Sequence, residues 1–290
     1  MLRLIFSFLS NRWQRVVLHD DFSEWISIPS GVPQGSVLGP FLFCLVIDSL
    51  SPVCSNTHVV KYADDVSFLH FVRDLSDDNL QKEWDCLLSW AQTVKLPLNL
   101  DKCCVMDFVT KRDMQLPPIR LTENSSNCLA QVQSMCFLGV TFSNDFKWNL
   151  HFQNLIKKAS KRLFLIRNLR RARCPPHLLF RCYSSFIRSL LLYAYPAFCN
   201  APEYLHNKLF RFENRAFRIM NLDSKLHPSL ESSMTSLCDN LFMQIAKSPD
   251  HPLRSMFQMK ASNRTRSTSS LVKPFTRTKR YKNSFIKYCK

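Results

Sequence analysis

Asp64 and Asp65 form the strongest carboxylate pair in the chain. They stand in Tyr62-Ala63-Asp64-Asp65, between the apolar runs Val59–Val60 and Val66–Leu69. That pattern predicts two short strands joined by a tight acidic turn. Adjacent side chains within a strand point to opposite faces, but at a hairpin tip both reach one cleft. Two carboxylates there would make a low-affinity site for Mg²⁺, which takes oxygen ligands and keeps waters for substrate phosphates. Surface Asp-Asp pairs are common. What favours the metal reading is the flanking apolar residues, which would bury the strands and fix the tip.

A second candidate is a loop. The chain has four glycines, and Gly31, Gly35 and Gly39 fall within nine residues, in Ser30-Gly-Val-Pro-Gln-Gly-Ser-Val-Leu-Gly-Pro40. Such clustering predicts unusual dihedrals or close backbone approach. The loop leads into FLFCLVIDSL (41–50), apolar all round and expected to be a buried helix. A flat backbone beside the long Gln34 side chain suits packing against a base or sugar; a plain turn is the simpler alternative. It is not a phosphate-cradling Walker loop, because the Gly-Lys-Ser/Thr ending is missing.

Metal-like spacing of other ligands occurs once, at Cys174, His177 and Cys182, without a fourth ligand at a sensible distance for structural zinc. The twelve cysteines sit inside apolar runs (Cys44, Cys136, Cys199) or side by side (Cys103, Cys104), with no Cys-x-x-Cys. They read as buried free thiols rather than a secreted disulfide scaffold.

The elements that must position these residues follow from periodicity. Residues 1–19 read as a helix and then an extended stretch, with Asp20–Glu24 a turn. Leu80–Val94 is an amphipathic helix, and 103–109 and 136–142 read as strands. From His151 the period is helical, with Phe152, Leu155, Ile156, Ala159, Leu163 and Ile166 on one face. Further helices are expected at 177–194 and 203–220, then a loosely ordered basic tail beyond Leu253. A 290-residue chain that is 46% hydrophobic and 21% charged can bury a core. No run approaches 18 apolar residues, so no transmembrane segment is expected. Residues 1–10 faintly resemble a signal peptide but lack its small-residue cleavage site. An apolar helix is the better reading, and secretion is not expected.

Charge divides the chain. Residues 1–150 carry 12 Lys/Arg against 16 Asp/Glu, whereas 151–290 carry 27 against 6, together the net +17. An acidic half joined to a strongly basic half reads as a polyanion binder with a separate place for carboxylate chemistry. Nucleic acid is the first candidate. An anionic membrane surface is the second, but it needs aromatic anchors at the interface. The helix at 151–173 has Lys157, Lys158, Lys161, Arg162, Arg167, Arg170, Arg171 and Arg173 and no acid. It would repel itself unless a polyanion lay alongside.

Taken together, the glycine loop and Tyr62-Ala-Asp-Asp65, with Asp64 29 residues after Gly35, resemble the reverse transcriptases of non-LTR (LINE-like) retrotransposons. The resemblance continues through Leu98-Asn-Leu-Asp-Lys102, Phe137-Leu-Gly-Val140 and the basic helix after Trp148. Arg277-Thr-Lys-Arg-Tyr-Lys-Asn-Ser-Phe285 is similar to the C-terminal tail of such open reading frames, so nearly the whole chain is covered.

The resemblance implies an α+β chain: a partial polymerase palm of antiparallel sheet with packed helices, an α-helical thumb, and a basic tail. The implied boundaries are 1–146 for partial fingers and palm, 147–245 for thumb and connection, and 246–290 for the tail. The implied activity is RNA-directed DNA synthesis from an RNA template, a DNA primer and deoxynucleoside triphosphates, with two Mg²⁺ ions. Asp64 would ligate both ions, supported by Asp65. Gly31, Pro33, Gln34 and Gly35 would line the nucleotide and template pocket, with Tyr62 beside the primer end. Phe137, Leu138 and Gly139 would form the primer grip. The basic residues of 151–173 would hold the nucleic-acid backbone. Lys102 matches the lysine proposed to protonate the leaving pyrophosphate, and is equally a plain strand-end lysine. Nuclear localisation follows from the family habit of priming on chromosomal DNA. Nothing fixes the oligomeric state.

Two departures stand out. The family takes a further metal-binding aspartate from a strand well upstream of the glycine loop, in a segment reading Phe-Asp-x-x-Lys-Ala-Phe-Asp, which this sequence lacks. Asp20, Asp21 and Glu24 lie too near Gly31 to replace it. The resemblance thus implies an N-terminally truncated polymerase, inactive alone because two close Mg²⁺ ions would have too little negative charge around them. The second departure is Val46-Ile-Asp-Ser-Leu50, which shifts an acidic residue slightly. The alternative function is a non-catalytic basic RNA- or DNA-binding remnant.

Overall fold

A computed structural model describes residues 2–74, 76, 78–108, 116–122 and 126–254. The part of the expected tail beyond Arg254, including 277–285, lies outside them. The described chain is α+β and divides into two compact units: residues 2–105 with 116–131, and residues 106–108 with 132–254.

The first unit opens with α1 (Leu2–Leu9), then β1 (Arg12–Gln14), β2 (Val17–Leu18), β3 (Asp21–Phe22) and β4 (Ile26–Ile28). β1 pairs antiparallel with β4, and β2 with β3. The turn expected over Asp20–Glu24 is shorter and earlier. His19 takes a left-handed φ of 55°, so His19 and Asp20 reverse the chain and Asp21 already pairs with Leu18. After the glycine loop come α2 (Leu38–Asp48), the antiparallel pair β5 (Thr57–Tyr62) and β6 (Asp65–His70), and α3 (Leu80–Thr93). β7 (Cys104–Val105) and β8 (Ala130–Gln131) then pair in parallel. Of the strand expected over 103–109, Cys104 and Val105 are the residues that join a ladder among the described 103–108, and residue 109 lies outside the described residues. Trp84 of α3, Ile119 and Leu129 form the buried centre, and the Trp84 indole donates to the Leu121 carbonyl at 3.1 Å.

α2 is not buried all round as its composition suggests. Gly39 and Ile47 are buried, but Phe41 and Leu45 are 68% and 70% exposed. Burying every face of a helix needs partners on every side, and the described residues supply them on one. The thiols also depart from expectation: Cys44 and Cys136 are exposed, and among the described cysteines, none of which is in a disulfide, only Cys238 is fully buried.

The second unit begins with β9 (Ser134–Phe137) and β10 (Val140–Ser143), an antiparallel hairpin where 136–142 reads as one strand. No polar residue interrupts Met135–Val140, so the pattern hides the reversal at Leu138 and Gly139. Then come α4 (Asn149–Arg171), α5 (Pro176–Tyr183), a π-helical turn over Ser184–Arg188, α6 (Ser189–Leu192), α7 (Tyr195–Phe198), α8 (Glu203–Met220) and α9 (Leu230–Lys247). The expected apolar face of α4 is its core face: Phe152, Leu155, Ala159, Leu163 and Ile166 are buried and Ile156 is packed beside them. Phe152, Leu155, Leu163 and Ile166 each contribute about 1.5–3 kcal/mol on leaving water, and the Ala159 methyl less. Glu213 is buried and compensated, accepting hydrogen bonds from the Tyr183 hydroxyl at 3.0 Å and the Leu230 N–H at 3.1 Å. Among the described residues, no helix is long and apolar enough to cross a membrane.

Candidate active site and nucleic-acid surface

β5 and β6 pair without interruption from Thr57↔His70 to Tyr62↔Asp65, leaving Ala63 and Asp64 as a two-residue turn. Ala63 supplies the positive φ, 51°, that such turns require. Asp64 therefore sits in the turn and Asp65 begins the return strand opposite Tyr62, all three exposed. Directly paired residues share a sheet face. Thr57, Val59, Lys61, Val66, Phe68 and His70 line the more buried face. His58, Val60, Tyr62, Leu69 and Asp65 line the open one. The flanking residues thus bury one face of the hairpin, not both.

The hairpin is anchored at its far end. The Thr57 hydroxyl lies 2.8 Å from His70 Nδ1. Nearby, the buried Glu83 carboxylate accepts hydrogen bonds from Val53 N–H (3.1 Å) and Cys54 N–H (2.6 Å). Burial raises the Glu83 pKa, but the hydrogen bonds from Cys54, Val53 and the Thr57 hydroxyl outweigh it and hold the group below the ordinary carboxylate range.

Carboxylate oxygens at an open tip suit Mg²⁺ in kind. In number they fall short of a two-ion centre: among the described residues no group of three His, Cys, Asp or Glu side chains converges. Asp48, the shifted acid, is engaged by Lys61, which donates to its carbonyl at 3.0 Å and stands 4.0 Å from its carboxylate. Lys102 closes a short 3₁₀ turn, Leu100–Lys102, ahead of β7, and is exposed.

In the glycine loop, Gly31 and Gly35 have φ of 78° and 79°, and a Cβ on either would meet nothing within 4 Å. These two are needed for their dihedrals. Gly39 is needed for space, since its Cβ would lie 2.8 Å from Ser36 Oγ. Gln34 and Gly35 occupy the turn from Pro33 to Ser36, closed by Ser36 N–H to the Pro33 carbonyl at 3.4 Å, with Gln34 exposed. Arg12, which the sequence does not single out, holds this loop. Its guanidinium donates to the carbonyls of Ser30 (2.9 Å), Gly31 (2.6 Å) and Leu9 (3.0 Å).

In the second unit, Phe137 ends β9, while Leu138 (φ 46°) and Gly139 (φ 80°) form the turn. The hairpin docks through partners far along the chain. Tyr193 OH donates to the Leu138 carbonyl at 2.9 Å, and Thr141 N–H donates to His151 Nδ1 at 3.2 Å. Burial, with Lys158 nearby, lowers the His151 pKa to about 4, so the ring is neutral. No periodicity points to Tyr193 or His151.

The cations of α4 divide into two groups. Lys157, Lys158, Lys161, Arg167 and Arg171 are exposed, and among the described residues they make no ion pair. Arg162 and Arg170 are also exposed but donate to the backbone carbonyls of Phe186 and Ile219. They tie α4 to its neighbours.

Residues 4–142 match the family model described as reverse transcriptase (RNA-dependent DNA polymerase). Both the acidic hairpin and the glycine loop fall inside this stretch, which belongs to the LINE-like reverse transcriptases. Among curated relatives, the RNA-directed DNA polymerase from mobile element jockey of Drosophila melanogaster is 27% identical over 158 residues, 51% of this chain. The probable RNA-directed DNA polymerase from transposon X-element of the same fly is 29% identical over 158 residues, 52% of the chain. That from transposon BS is 24% identical over 226 residues, 73% of the chain. The matches span 17%, 17% and 24% of the relatives' own lengths. A model described as alkylated DNA repair protein alkB homolog 8, N-terminal, matches residues 148–189, the α4–α5 region. No solved structure matches.

Proposed function

We propose that the chain carries part of an RNA-directed DNA polymerase palm together with its thumb. The reaction would be attack of a primer 3′-hydroxyl on the α-phosphate of a deoxynucleoside triphosphate, releasing pyrophosphate. Asp64 and Asp65 would hold Mg²⁺, which supplies activation of the hydroxyl and neutralisation of the phosphates. Gly31, Pro33, Gln34 and Gly35 would flank the incoming nucleotide and its template base, and Tyr62 the primer end. Phe137, Leu138 and Gly139 would bear on the primer. Lys102 would stand ready to give a proton to the leaving pyrophosphate. Lys157, Lys158, Lys161, Arg167 and Arg171 would follow the phosphates of an RNA–DNA hybrid without reading sequence. Nuclear residence would follow from priming on chromosomal DNA.

The observation that carries this reading is the two-residue turn that sets Asp64 beside Asp65 at an open hairpin tip, within the stretch matched to reverse transcriptases. The carboxylate count favours one qualification. With two acids at the tip, these 290 residues alone would bind hybrid but not polymerise, and a third carboxylate would have to come from elsewhere. The second reading, a non-catalytic nucleic-acid-binding remnant, rests on that same shortfall.

Primer extension on an RNA template with Mg²⁺ separates the readings. The chain, its Asp64→Ala variant and a longer chain adding a palm strand with a third carboxylate would be compared. Incorporation by the longer chain alone, abolished by Asp64→Ala, supports the metal assignment and the shortfall. Asp64-dependent extension by the 290 residues themselves would show that the third carboxylate is dispensable. No extension by either, with hybrid binding retained, leaves the remnant.

A further inference from the structure

The unbalanced charge of the helical unit is not confined to α4. Along α8, Tyr204, Lys208, Arg211, Arg215 and Arg218 recur at intervals of four, three, four and three residues, so they share one face. All five are exposed, with the polar Asn207 and Asn214 beside them. The opposite face, including Leu205, Leu209, Phe212 and Met220, is buried. Of the two acids in α8, Glu203 precedes the stripe and Glu213 is turned into the core. Among the described residues none of the four cations makes an ion pair. The Lys208 ammonium lies 5.5 Å from the centre of the Tyr204 ring.

Like charges at this spacing repel one another and cost stability unless an anion lies along them. From Lys208 to Arg218 the helix rises about 15 Å. At about 3.4 Å of duplex axis per phosphate of one strand, that length faces about four phosphates, one for each cation. A helix that lies in a bilayer presents a broad apolar face, and here Tyr204 is the stripe's only large apolar side chain. The geometry points to the exposed face of α8 as a second nucleic-acid surface, gripping the phosphates of a duplex without reading its bases. It goes beyond the role proposed for α4 and depends neither on that role nor on Asp64.

The test uses the whole chain and an RNA–DNA hybrid of about 20 base pairs, with affinity followed from about 50 to 200 mM salt. Three variants are compared with the wild type: Lys208→Gln/Arg211→Gln/Arg215→Gln/Arg218→Gln; Lys157→Gln/Lys161→Gln/Arg167→Gln/Arg171→Gln; and the charge-retaining Arg211→Lys/Arg215→Lys/Arg218→Lys. The α8 glutamine variant should lose at least tenfold in affinity at low salt, and its slope of log K against log salt should shrink by about 3 to 4. The lysine variant should bind as wild type does. Wild-type affinity and slope in the α8 glutamine variant would overturn the proposal. A neutral result for the α4 variant alone would overturn only the α4 role. In the unsubstituted chain, bound hybrid should protect Lys208 from amine acylation, and unprotected Lys208 refutes the surface whether or not the variants fold. Loss of binding to anionic phosphatidylserine vesicles with hybrid binding intact would assign the stripe to a membrane instead.

Discussion

The Tyr193 hydroxyl, 55 residues away in sequence, donates a hydrogen bond to the carbonyl of Leu138 at 2.9 Å. Its ring also limits the next residue: a Cβ on Gly139 would lie 3.2 Å from Tyr193 Cε1. One side chain therefore fixes both turn residues of the β9–β10 hairpin. Tyr193→Phe removes a partly exposed hydrogen bond and is expected to cost less than about 1 kcal/mol. Gly139→Ala meets both the ring and a left-handed φ of 80°, and is expected to cost about 1–2 kcal/mol or more. Urea denaturation of the two variants checks the order. A larger loss in Tyr193→Phe would show that the hydroxyl, and not the glycine, holds the turn.

Glu83 is a buried carboxylate that serves two backbone N–H groups, and it is not available for chemistry. Glu83→Ala leaves the N–H groups of Val53 and Cys54 without an acceptor and is expected to destabilise the first unit by about 2–4 kcal/mol. Its folded-state pKa lies below the ordinary 4.5, so its contribution is present above that value and lost as pH falls through the lowered one. Stability profiles of wild type and Glu83→Gln below pH 4.5 should differ in slope, the variant being flatter.

His151 should give a separate acid-sensitive window. Folding holds its pKa near 4 against an ordinary 6.5, so the unfolded chain binds a proton first as pH falls. Stability contributed by the neutral ring is complete above pH 6.5 and declines towards pH 4. A shift of this size corresponds to about 3 kcal/mol across the window. Protonation also removes the acceptor for Thr141 N–H. Calorimetry of His151→Gln should show the slope between these pH values reduced. An unchanged slope would move the effect to another group.

Arg12 is expected to keep the glycine loop in shape. Arg12→Lys retains one charge but cannot reach the Ser30, Gly31 and Leu9 carbonyls together, because an ammonium lacks the planar fork. Exchange of the Ser36 amide, which donates to the Pro33 carbonyl, should quicken by about tenfold, equivalent to about 1.4 kcal/mol of lost protection. Exchange at wild-type rates would mean that the positive-φ glycines alone define the loop.

The sequence by itself determined the features that depend on near neighbours. The apolar runs flanking Tyr62-Ala-Asp-Asp65 mark a hairpin, the glycine cluster marks unusual dihedrals or close backbone approach, and the 3.6-residue period separates the core of α4 from its cations. Tertiary structure decided the rest. The turn at Leu138–Gly139 is hidden in an apolar run because a period reports faces and not reversals. Phe41 and Leu45 stand exposed because burial depends on what packs against a helix, not on the helix. Arg162 and Arg170, indistinguishable by type from the other cations of α4, are drawn to carbonyls 24 and 49 residues away. Arg12, Glu83 and Tyr193 likewise act on partners 18 to 55 residues distant. A hydrogen bond needs its two groups within about 3 Å, and the path of the folded chain alone brings such residues that close.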